Sequence, residues 1–486
     1  MYRRPTKRQE IIKRVISYAV MTTSVLVIVS GLVLVVMGYR LDTDNGRLEQ
    51  GALVQAETIP AGAMVKIDGK IVNTKTPDKS TVLAGIHVFE MQKDGYETWQ
   101  KTLDIKAGTL TWLDYARLVP KDIKPEAVAS YPSVYGSLVA PNGKTMIIQQ
   151  AASTPTFEVV DLRTDDIKNK SITIPANAYS DVNAAGIAHV FTIVRWDSGG
   201  RYVLLKHNYE GKTEWLVLDT RDVTKTKNIT SLFNADISSI AFSGASGNIF
   251  YALSGGDIRK LDLSSGIISQ PLLTGVINFE LFGTSTITYV GTDLLDSSKR
   301  IVGLYSDGDE SPHVLRSTMS DPTVPLNIAT SHYFNQDYIA ISEGDKIDIV
   351  SGSYPPSGSE DSSSLSNFAS LSLSANVDAV SFSPKGDYLL ARSGADFKSY
   401  DIEHQRETGY TLPHADITIK WLDDDHTWSD YDGKLIMREF DGANQSVISP
   451  LTAGQSVSLT DNDRYIYSIT TADSGYQLQR VRMVLP

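Results

Sequence analysis

The sequence predicts a mainly β protein that carries a single apolar helix close to its N-terminus. Two observations lead to this class. Residues 15–39 contain no charged side chain. Behind them lies a long region in which short apolar strands alternate with turns rich in Gly, Asp and Asn. The chain has 486 residues, more than one ordinary domain, so we expect two or three folded units.

The uncharged segment 15–39 is predicted to be a transmembrane helix. As a helix it would span roughly 37 Å, enough to cross a hydrocarbon core of about 30 Å. A cleavable signal peptide would have a shorter apolar region that ends in small residues, whereas this one ends in Met37-Gly38-Tyr39-Arg40. Bases dominate residues 1–14, so we expect a cytoplasmic basic tip there and an extracytoplasmic body. The predicted location is the cell membrane, crossed once.

Composition excludes several classes of function. The chain has no cysteine, which removes disulfides and thiolate metal sites. Its net charge is −12 although the N-terminal tip is basic, so the body is acidic and a nucleic-acid partner is not expected. Motif searches return no zinc-protease helix, nucleophile elbow, phosphate loop or dinucleotide fingerprint. We therefore expect no catalytic residues, no cofactor and no metal site.

Residues 40–51 are polar and are predicted to form a stalk, and residues 52–120 to form a small β unit. In this unit Val65 and Ile67 alternate with polar residues, and Asp68-Gly69 is a strong hairpin signal. A later strand ends at Gly95-Tyr96. The pattern is typical of short antiparallel strands joined by tight turns.

Segment 52–120 resembles the PEGA domain, a small β-sandwich of exported bacterial proteins, although Ala61 stands where the family has Glu. The resemblance implies an envelope location and names no ligand. We expect His87 and Tyr96 to pack in the core with their polar atoms hydrogen-bonded, not to form a binding site. The matching positions, expected to be structural, are Pro60, Gly62, Ala63, Asp68, Gly69, Thr76, Pro77, Gly85, His87, Gly95 and Tyr96.

After a predicted linker at 121–133, residues 134–486 repeat a unit of apolar strands and turns. The spacing of the units, about 37–56 residues, is that of four-stranded β-propeller blades. We count eight blades, with seven as the alternative. The entry hairpins at 196–203 and 382–389 resemble those of bacterial extracytoplasmic propellers, and residues 126–133 are conjectured to close the ring. The Ser-rich segment 351–374 is predicted to be an exposed loop.

One acidic and aromatic segment is the candidate ligand site of the propeller. Two interpretations compete for its carboxylates: a calcium site, or turn residues of a hairpin, which we favour. Trp428 is placed in a loop, where it could stack on a sugar, whereas Trp196 and Trp421 are expected in the core. The candidate residues are Asp423, Asp424, Asp425, Trp428, Asp430 and Asp432.

The favoured function is that of a membrane-anchored extracytoplasmic binding or scaffold protein. Its ligand would be an envelope polymer, such as a cell-wall polymer, or a partner protein of the envelope. Two alternatives remain open: a structural subunit of an envelope assembly, and a propeller-based hydrolase or lyase of envelope glycans. The fold cannot choose among them, because propellers host unrelated functions, and the oligomeric state stays open.

Overall fold

The computed structural model describes residues 7–36, 38–41, 48–180, 188–321, 323–354 and 365–486. The chain forms two compact units, Met1–Asp122 and Ile123–Pro486.

The first unit begins with a long helix, α1 (Lys7–Val36). Within it, Ile11–Val35 has a mean hydropathy of 2.2, none of this stretch is buried, and its length is sufficient to cross a membrane. The helix starts eight residues before the predicted span. It ends before Gly38, whose φ of +79° is incompatible with a continuing right-handed helix. Tyr39, predicted as the last residue of the span, lies in a strand.

Two four-stranded sheets follow in the first unit. In one of them the long strand β2 pairs antiparallel with β1 and β5 and parallel with β8; in the other the strand order is β4-β3-β6-β7. The strands are β1 (Tyr39–Leu41), β2 (Leu48–Ile59), β3 (Met64–Ile67), β4 (Lys70–Lys75), β5 (Asp78–Leu83), β6 (Gly85–Gln92), β7 (Trp99–Ile105) and β8 (Leu110–Arg117).

The two sheets pack face to face as a small sandwich. Trp99 of β7 meets Tyr115 of β8 edge-on with ring centroids 6.2 Å apart, and Phe89 and Met91 of β6 are fully buried. The structure differs from the polar stalk predicted at 40–51. Both ends of this segment lie in strands, because β1 pairs with the first residues of β2. Strand pairing satisfies the backbone of residues 40–41 and 48–50, so their polar composition alone was misleading, while residues 42–47 of the predicted stalk lie outside the described part of the chain.

The second unit contains eight four-stranded antiparallel sheets within the described residues, and seven of them have their strands in chain order. The first four are β10–β13 (Gly136–Val139, Thr145–Gln149, Thr156–Asp161, Lys168–Thr173), β14–β17 (Val190–Trp196, Tyr202–Tyr209, Lys212–Asp219, Lys227–Asn228), β18–β21 (Ser239–Phe242, Ile249–Ser254, Asp257–Asp262, Ile267–Ile268) and β22–β25 (Val276–Phe282, Thr286–Thr292, Lys299–Ser306, His313–Met319).

The remaining sheets follow the same pattern. They are β26–β29 (Leu326–Tyr333, Gln336–Glu343, Lys346–Gly352, Ser366–Ser372), β30–β33 (Ala379–Phe382, Tyr388–Ser393, Asp396–Asp401, Arg406–Thr411), β34–β37 (Ile419–Trp421, His426–Tyr431, Lys434–Glu439, Ser446–Pro450) and β38–β40 (Ser458–Leu459, Tyr465–Ala472, Gly475–Arg482) with β9 (Glu126–Tyr131) as the fourth strand. The short helices are two 3₁₀ turns, Ala176–Ala178 and Val223–Lys225, and α2 (Ile229–Phe233).

Neighbouring sheets share hydrophobic cores. Ile147 of the first sheet clusters with Val203 of the second, and Leu204 of the second with Phe250 of the third. Ile148 of the first sheet also clusters with Tyr467 of the eighth, so the series returns to its start. Each sheet thereby buries faces that it could not bury alone, and this closed arrangement is that of a β-propeller.

The eighth sheet is completed from the other end of the unit. Strand β9 pairs antiparallel with β40, as conjectured for residues 126–133, so the predicted linker 121–133 is in part a strand. Tyr131 at its end is buried between the first and eighth sheets. Arg480 of β40 donates to both carboxylate oxygens of Glu126, at 2.9 and 3.1 Å. Strand pairing, packing and an ion pair therefore all join the two ends.

The Ser-rich segment 351–374 is not one exposed loop. Its first residues end β28, and residues 366–372 form β29, the outer strand of the fifth sheet. Leu371 is buried in the core shared with the sixth sheet, since alternate residues of β29 face inward. Residues 355–364 lie outside the described part of the chain.

Candidate functional site

The acidic residues of the predicted ligand segment lie at opposite ends of one strand. Asp423, Asp424 and Asp425 belong to the hairpin before β35, and Asp432 belongs to the hairpin after it. A strand of six residues separates the two hairpins by about 17 Å at a rise of roughly 3.3 Å per residue. These carboxylates therefore do not converge, and within the described residues no group of three His, Asp or Glu side chains is arranged to hold a metal ion.

Turn chemistry accounts for the acidic residues that sequence reasoning grouped together. Asp423 accepts hydrogen bonds from the backbone N–H groups of Asp425 and His426, at 2.9 and 2.6 Å. Asp432 has a φ of +53° and precedes Gly433, as in a tight hairpin turn. Burial raises the pKa of Asp430, a residue of β35, above its usual range. These contacts support the turn interpretation.

Trp428 does not lie in an exposed loop, so that expectation is wrong. It is a residue of β35 with 6% of its surface exposed. The ammonium of Lys420 covers its ring at 5.5 Å from the centroid. Trp196 is buried, as predicted, and its indole N–H donates to the carbonyl of Leu138 in the first sheet at 3.1 Å.

Several of the positions that resemble the PEGA domain lie at turns or strand ends of the first unit. Thr76 Oγ1 accepts hydrogen bonds from the backbone N–H groups of Gly62 (3.0 Å) and Ala63 (2.9 Å), and it lies 2.6 Å from the hydroxyl of Thr58. Gly62 has a φ of +91°, which favours glycine. Two prolines of the same set follow cis peptide bonds, Pro60 and Pro77. Three of its glycines have a positive φ, namely Gly69, Gly85 and Gly95.

His87 and Tyr96 have structural partners, but only Tyr96 is fully in the core. Tyr96 is 3% exposed. His87 is partly exposed, and its Nδ1 lies 2.6 Å from Asp68 Oδ2 while its Nε2 lies 2.9 Å from the carbonyl of Leu83. Asp68 also accepts from the backbone N–H of Val88, and these hydrogen bonds lower its pKa. His87 thus ties the Asp68-Gly69 hairpin to β6.

Sequence reasoning missed a chain of three polar side chains in and beside the second sheet. Glu214 Oε1 lies 2.7 Å from His207 Nδ1, and His207 Nε2 lies 2.9 Å from His189 Nδ1. We call Glu214, His207 and His189 the histidine relay. The two imidazoles are close to coplanar with centroids 5.1 Å apart, as an in-plane hydrogen bond requires. His207 is fully buried, whereas His189 is partly exposed.

Glu214 is held as a buried carboxylate. Burial alone would raise its pKa, but hydrogen bonds from His207, from the N–H and hydroxyl of Ser180, and from Asn228 outweigh this effect. Together they lower the pKa of Glu214 to about 2. The site therefore keeps a negative charge beside a buried imidazole at any physiological pH.

The charge of Glu214 sets the tautomers of the relay. Because the carboxylate only accepts, Nδ1 of His207 donates to it, and Nε2 of a neutral His207 accepts from Nδ1 of His189. Nε2 of His189 then carries the unshared electron pair at the accessible end of the relay. Phe191 stacks on His207 at 4.2 Å and Tyr209 at 5.1 Å, which fixes the ring planes. Such an arrangement can accept a hydrogen bond from a ligand.

The relay could not be read from the sequence, because strand register and the course of a separate connection decide whether its members meet. Two of them, His207 and Glu214, flank the hairpin between β15 and β16, and His189 lies in the connection 174–189. The length of that connection was the available signal, since long connections between short strands are often functional.

A comparison with known families agrees with the architecture of the first unit. Residues 53–120 match the PEGA domain. No curated protein matches the sequence. Together with the sheet order of residues 126–486, the match defines a chain that combines an apolar N-terminal helix, a PEGA domain and a β-propeller.

Solved structures similar to the chain have low identities. The β-propeller domain of Cps50 (Swd1) from Myceliophteria thermophila is 12% identical with a TM-score of 0.39, covering 66% of this chain and 97% of that one. Hsv2 of Kluyveromyces lactis is 11% identical with a TM-score of 0.38, covering 72% and 99%. A prolyl endopeptidase is 15% identical with a TM-score of 0.40, covering 60% of this chain and 46% of that one. The propeller assignment rests on the sheet order, not on these similarities.

Proposed function

We propose that the protein is a single-pass membrane protein whose PEGA domain and propeller bind a component of the cell envelope. The observation that carries this proposal is the order of parts along one chain. An apolar helix with no buried residue in its span comes first, a PEGA domain follows it, and a propeller follows the PEGA domain. Propellers offer broad faces and long connections for recognition. The proposed ligand is an envelope polymer or a partner protein.

Within the propeller we place the ligand contact at the accessible end of the histidine relay. Nε2 of His189 offers a hydrogen-bond acceptor, and the partly exposed rings of Tyr179 and Tyr209 flank it. Aromatic rings beside one oriented polar atom suit either a sugar face or a side chain of a partner protein.

The membrane topology is tested first. Because the chain has no cysteine, each introduced thiol is the only one that can be labelled. Thr6→Cys and Ser265→Cys each introduce one thiol, on the two sides of α1. A membrane-impermeant maleimide added to intact cells should label Ser265→Cys and should label Thr6→Cys only after lysis. Labelling of Thr6→Cys alone in intact cells would reverse the proposed orientation.

Ligand binding is tested by co-sedimentation of the full-length protein in detergent with purified cell-wall sacculi. Saturable binding that weakens in His189→Ala, but not in the control His332→Ala on the fifth sheet, would support a polymer ligand at the relay. Absence of binding would refute the polymer and leave a partner protein as the ligand. Release of soluble glycan fragments during incubation would instead support the hydrolase or lyase alternative.

A further inference from the structure

A cleft of about 380 Å³ lies between the second and third sheets. This volume is near the lower end of the range of roughly 300–1,000 Å³ that is usual for small-molecule sites. The turn between β16 and β17 forms one wall, and the hairpin between β18 and β19 forms the other. Strand β17 pairs only with Leu216 and Val217 of β16, so the last residues of β16 leave room beside the sheet.

The floor of the cleft is apolar. Val217 and Leu263 are buried members of the core that the second and third sheets share, and Tyr202 packs against the same core. The backbone of Gly247 lies against the Tyr202 ring, since a Cβ atom on Gly247 would be 2.5 Å from Cδ2 of that ring. An apolar floor of this kind suits the carbon face of a ring, whereas an inorganic ion has no apolar surface to place on it.

One polar side chain of the cleft is buried without a partner. Thr226 is 7% exposed, and its Oγ1 has no hydrogen-bond partner within the described residues. The backbone of Thr226 is fixed, because its N–H donates to the carbonyl of Val223 at 3.1 Å at the end of a 3₁₀ turn. Buried hydroxyls are paired in the large majority of cases. A ligand hydroxyl in the cleft would supply the missing partner.

The cleft also carries a positive charge that is not compensated. Arg201 donates to both carboxylate oxygens of the buried Asp219, at 3.1 and 2.6 Å. Burial would raise the pKa of Asp219, but hydrogen bonds, first those from Arg201, lower it, so this carboxylate stays charged and paired. Lys225 is paired with Asp222 at 3.3 Å. Lys227 lines the cleft and has no carboxylate partner within the described part of the chain.

We propose that this cleft binds a sugar that carries one carboxylate, a hexuronic acid. The carboxylate contacts the ammonium of Lys227, the carbon face of the sugar ring packs on the floor, and a ring hydroxyl hydrogen-bonds to Thr226. The net charge of the chain, −12, disfavours a polyanion and so favours a ligand with a single negative charge. A single water molecule takes up about 30 Å³ and would leave most of the cleft unused.

The site is separate from the histidine relay, so the proposal does not rest on the proposed function. Glu214 lies near the start of β16 and Asp219 is its last residue. Five residues at a rise of roughly 3.3 Å place the two sites about 17 Å apart along the strand.

The test is isothermal titration calorimetry of the full-length protein in detergent. Sodium glucuronate is the probe, glucose is the neutral sugar and sodium acetate is the carboxylate without a ring. Glucuronate should bind about tenfold more tightly than either, because it alone contacts both the floor and Lys227. Lys227→Met should weaken glucuronate binding about tenfold, and Thr226→Val about fivefold. The control Lys168→Met, at an exposed lysine of the first sheet, should bind like the wild-type protein.

Asn248→Trp is the second variant if Thr226→Val does not fold. Asn248 lines the cleft at an exposed position, so the indole should fill the cleft and abolish binding without disturbing the core. Methyl β-D-glucuronide identifies the source of the sugar: equal affinity would support a residue within a glycan, and weaker affinity than glucuronate would support a free sugar. Absence of glucuronate binding, equal affinity for glucose, or unchanged binding in Lys227→Met and Asn248→Trp would overturn the proposal.

Discussion

Tyr131→Ala tests whether the pairing of β9 with the eighth sheet holds the propeller closed. Tyr131 is 4% exposed and lies in the core shared by the first and eighth sheets. An aromatic side chain buries about 150–250 Å², worth roughly 4–6 kcal/mol at about 25 cal/mol per Å². Large-to-small substitutions of buried aromatic residues cost about 3–5 kcal/mol. Both routes give an expected loss of about 4 kcal/mol in the free energy of unfolding.

The assay is urea unfolding of the full-length protein, followed by tryptophan fluorescence, with hydrogen exchange of the β9 and β40 amides. Tyr135→Ala is the matched control: the same residue type four positions later, but 51% exposed. The control should change stability by no more than about 0.5 kcal/mol. If Tyr131→Ala costs no more than Tyr135→Ala and the amides of β40 stay equally protected, β9 does not hold the ring closed.

Three further predictions concern single sites. Glu214→Gln removes a carboxylate whose pKa is about 2 in place of 4.5, so it should cost up to roughly 3 kcal/mol at pH 7. That stabilisation is present above about pH 4.5 and is lost as the pH falls toward 2. The free energy of unfolding of the variant should therefore depend less on pH between 4.5 and 2 than that of the wild-type protein. An equal pH dependence of the two proteins, measured by circular dichroism, would contradict this prediction. Thr76→Val leaves the N–H groups of Gly62 and Ala63 without their hydroxyl acceptor and should cost about 1–3 kcal/mol in urea unfolding, against a negligible effect of Thr81→Val at an exposed position. Calcium in excess over chelator should leave the melting temperature unchanged, since Asp423 and Asp432 lie at opposite ends of β35; a rise of several degrees would restore the calcium interpretation.

Much of the architecture followed from local chemistry. The uncharged run 15–39 predicted the helix because it is long enough to cross a hydrocarbon core as a helix. The helix in the structure contains such a stretch at Ile11–Val35. Turn residues such as Asp68-Gly69 marked hairpins because they tolerate positive φ, and both residues adopt it. The repeating period predicted the propeller because each sheet of four short strands needs neighbours to bury its faces. These signals depend on residues close together in the chain.

The sequence alone misplaced the features that depend on which strand a residue joins. Residues 40–41 and 48–51 of the predicted stalk form strands because β1 found a partner in β2, and Trp428 became buried because β35 starts at His426. Side chains of a strand alternate between the two faces of the sheet. An error of one residue in the predicted start of a strand therefore exchanges the predicted buried and exposed residues. The acidic segment looked like one cluster because a strand between its halves was not recognised.

The histidine relay was decided only by the tertiary structure. His207 meets Glu214 across one hairpin, and His189 meets His207 from the connection before β14. Residue types alone made each of these side chains an ordinary strand or loop residue. Hydrogen bonds act over about 3 Å, and the strand register of the second sheet decides whether these partners come that close. Sequence therefore determined the kinds of parts in this protein, and the propeller decided which side chains meet.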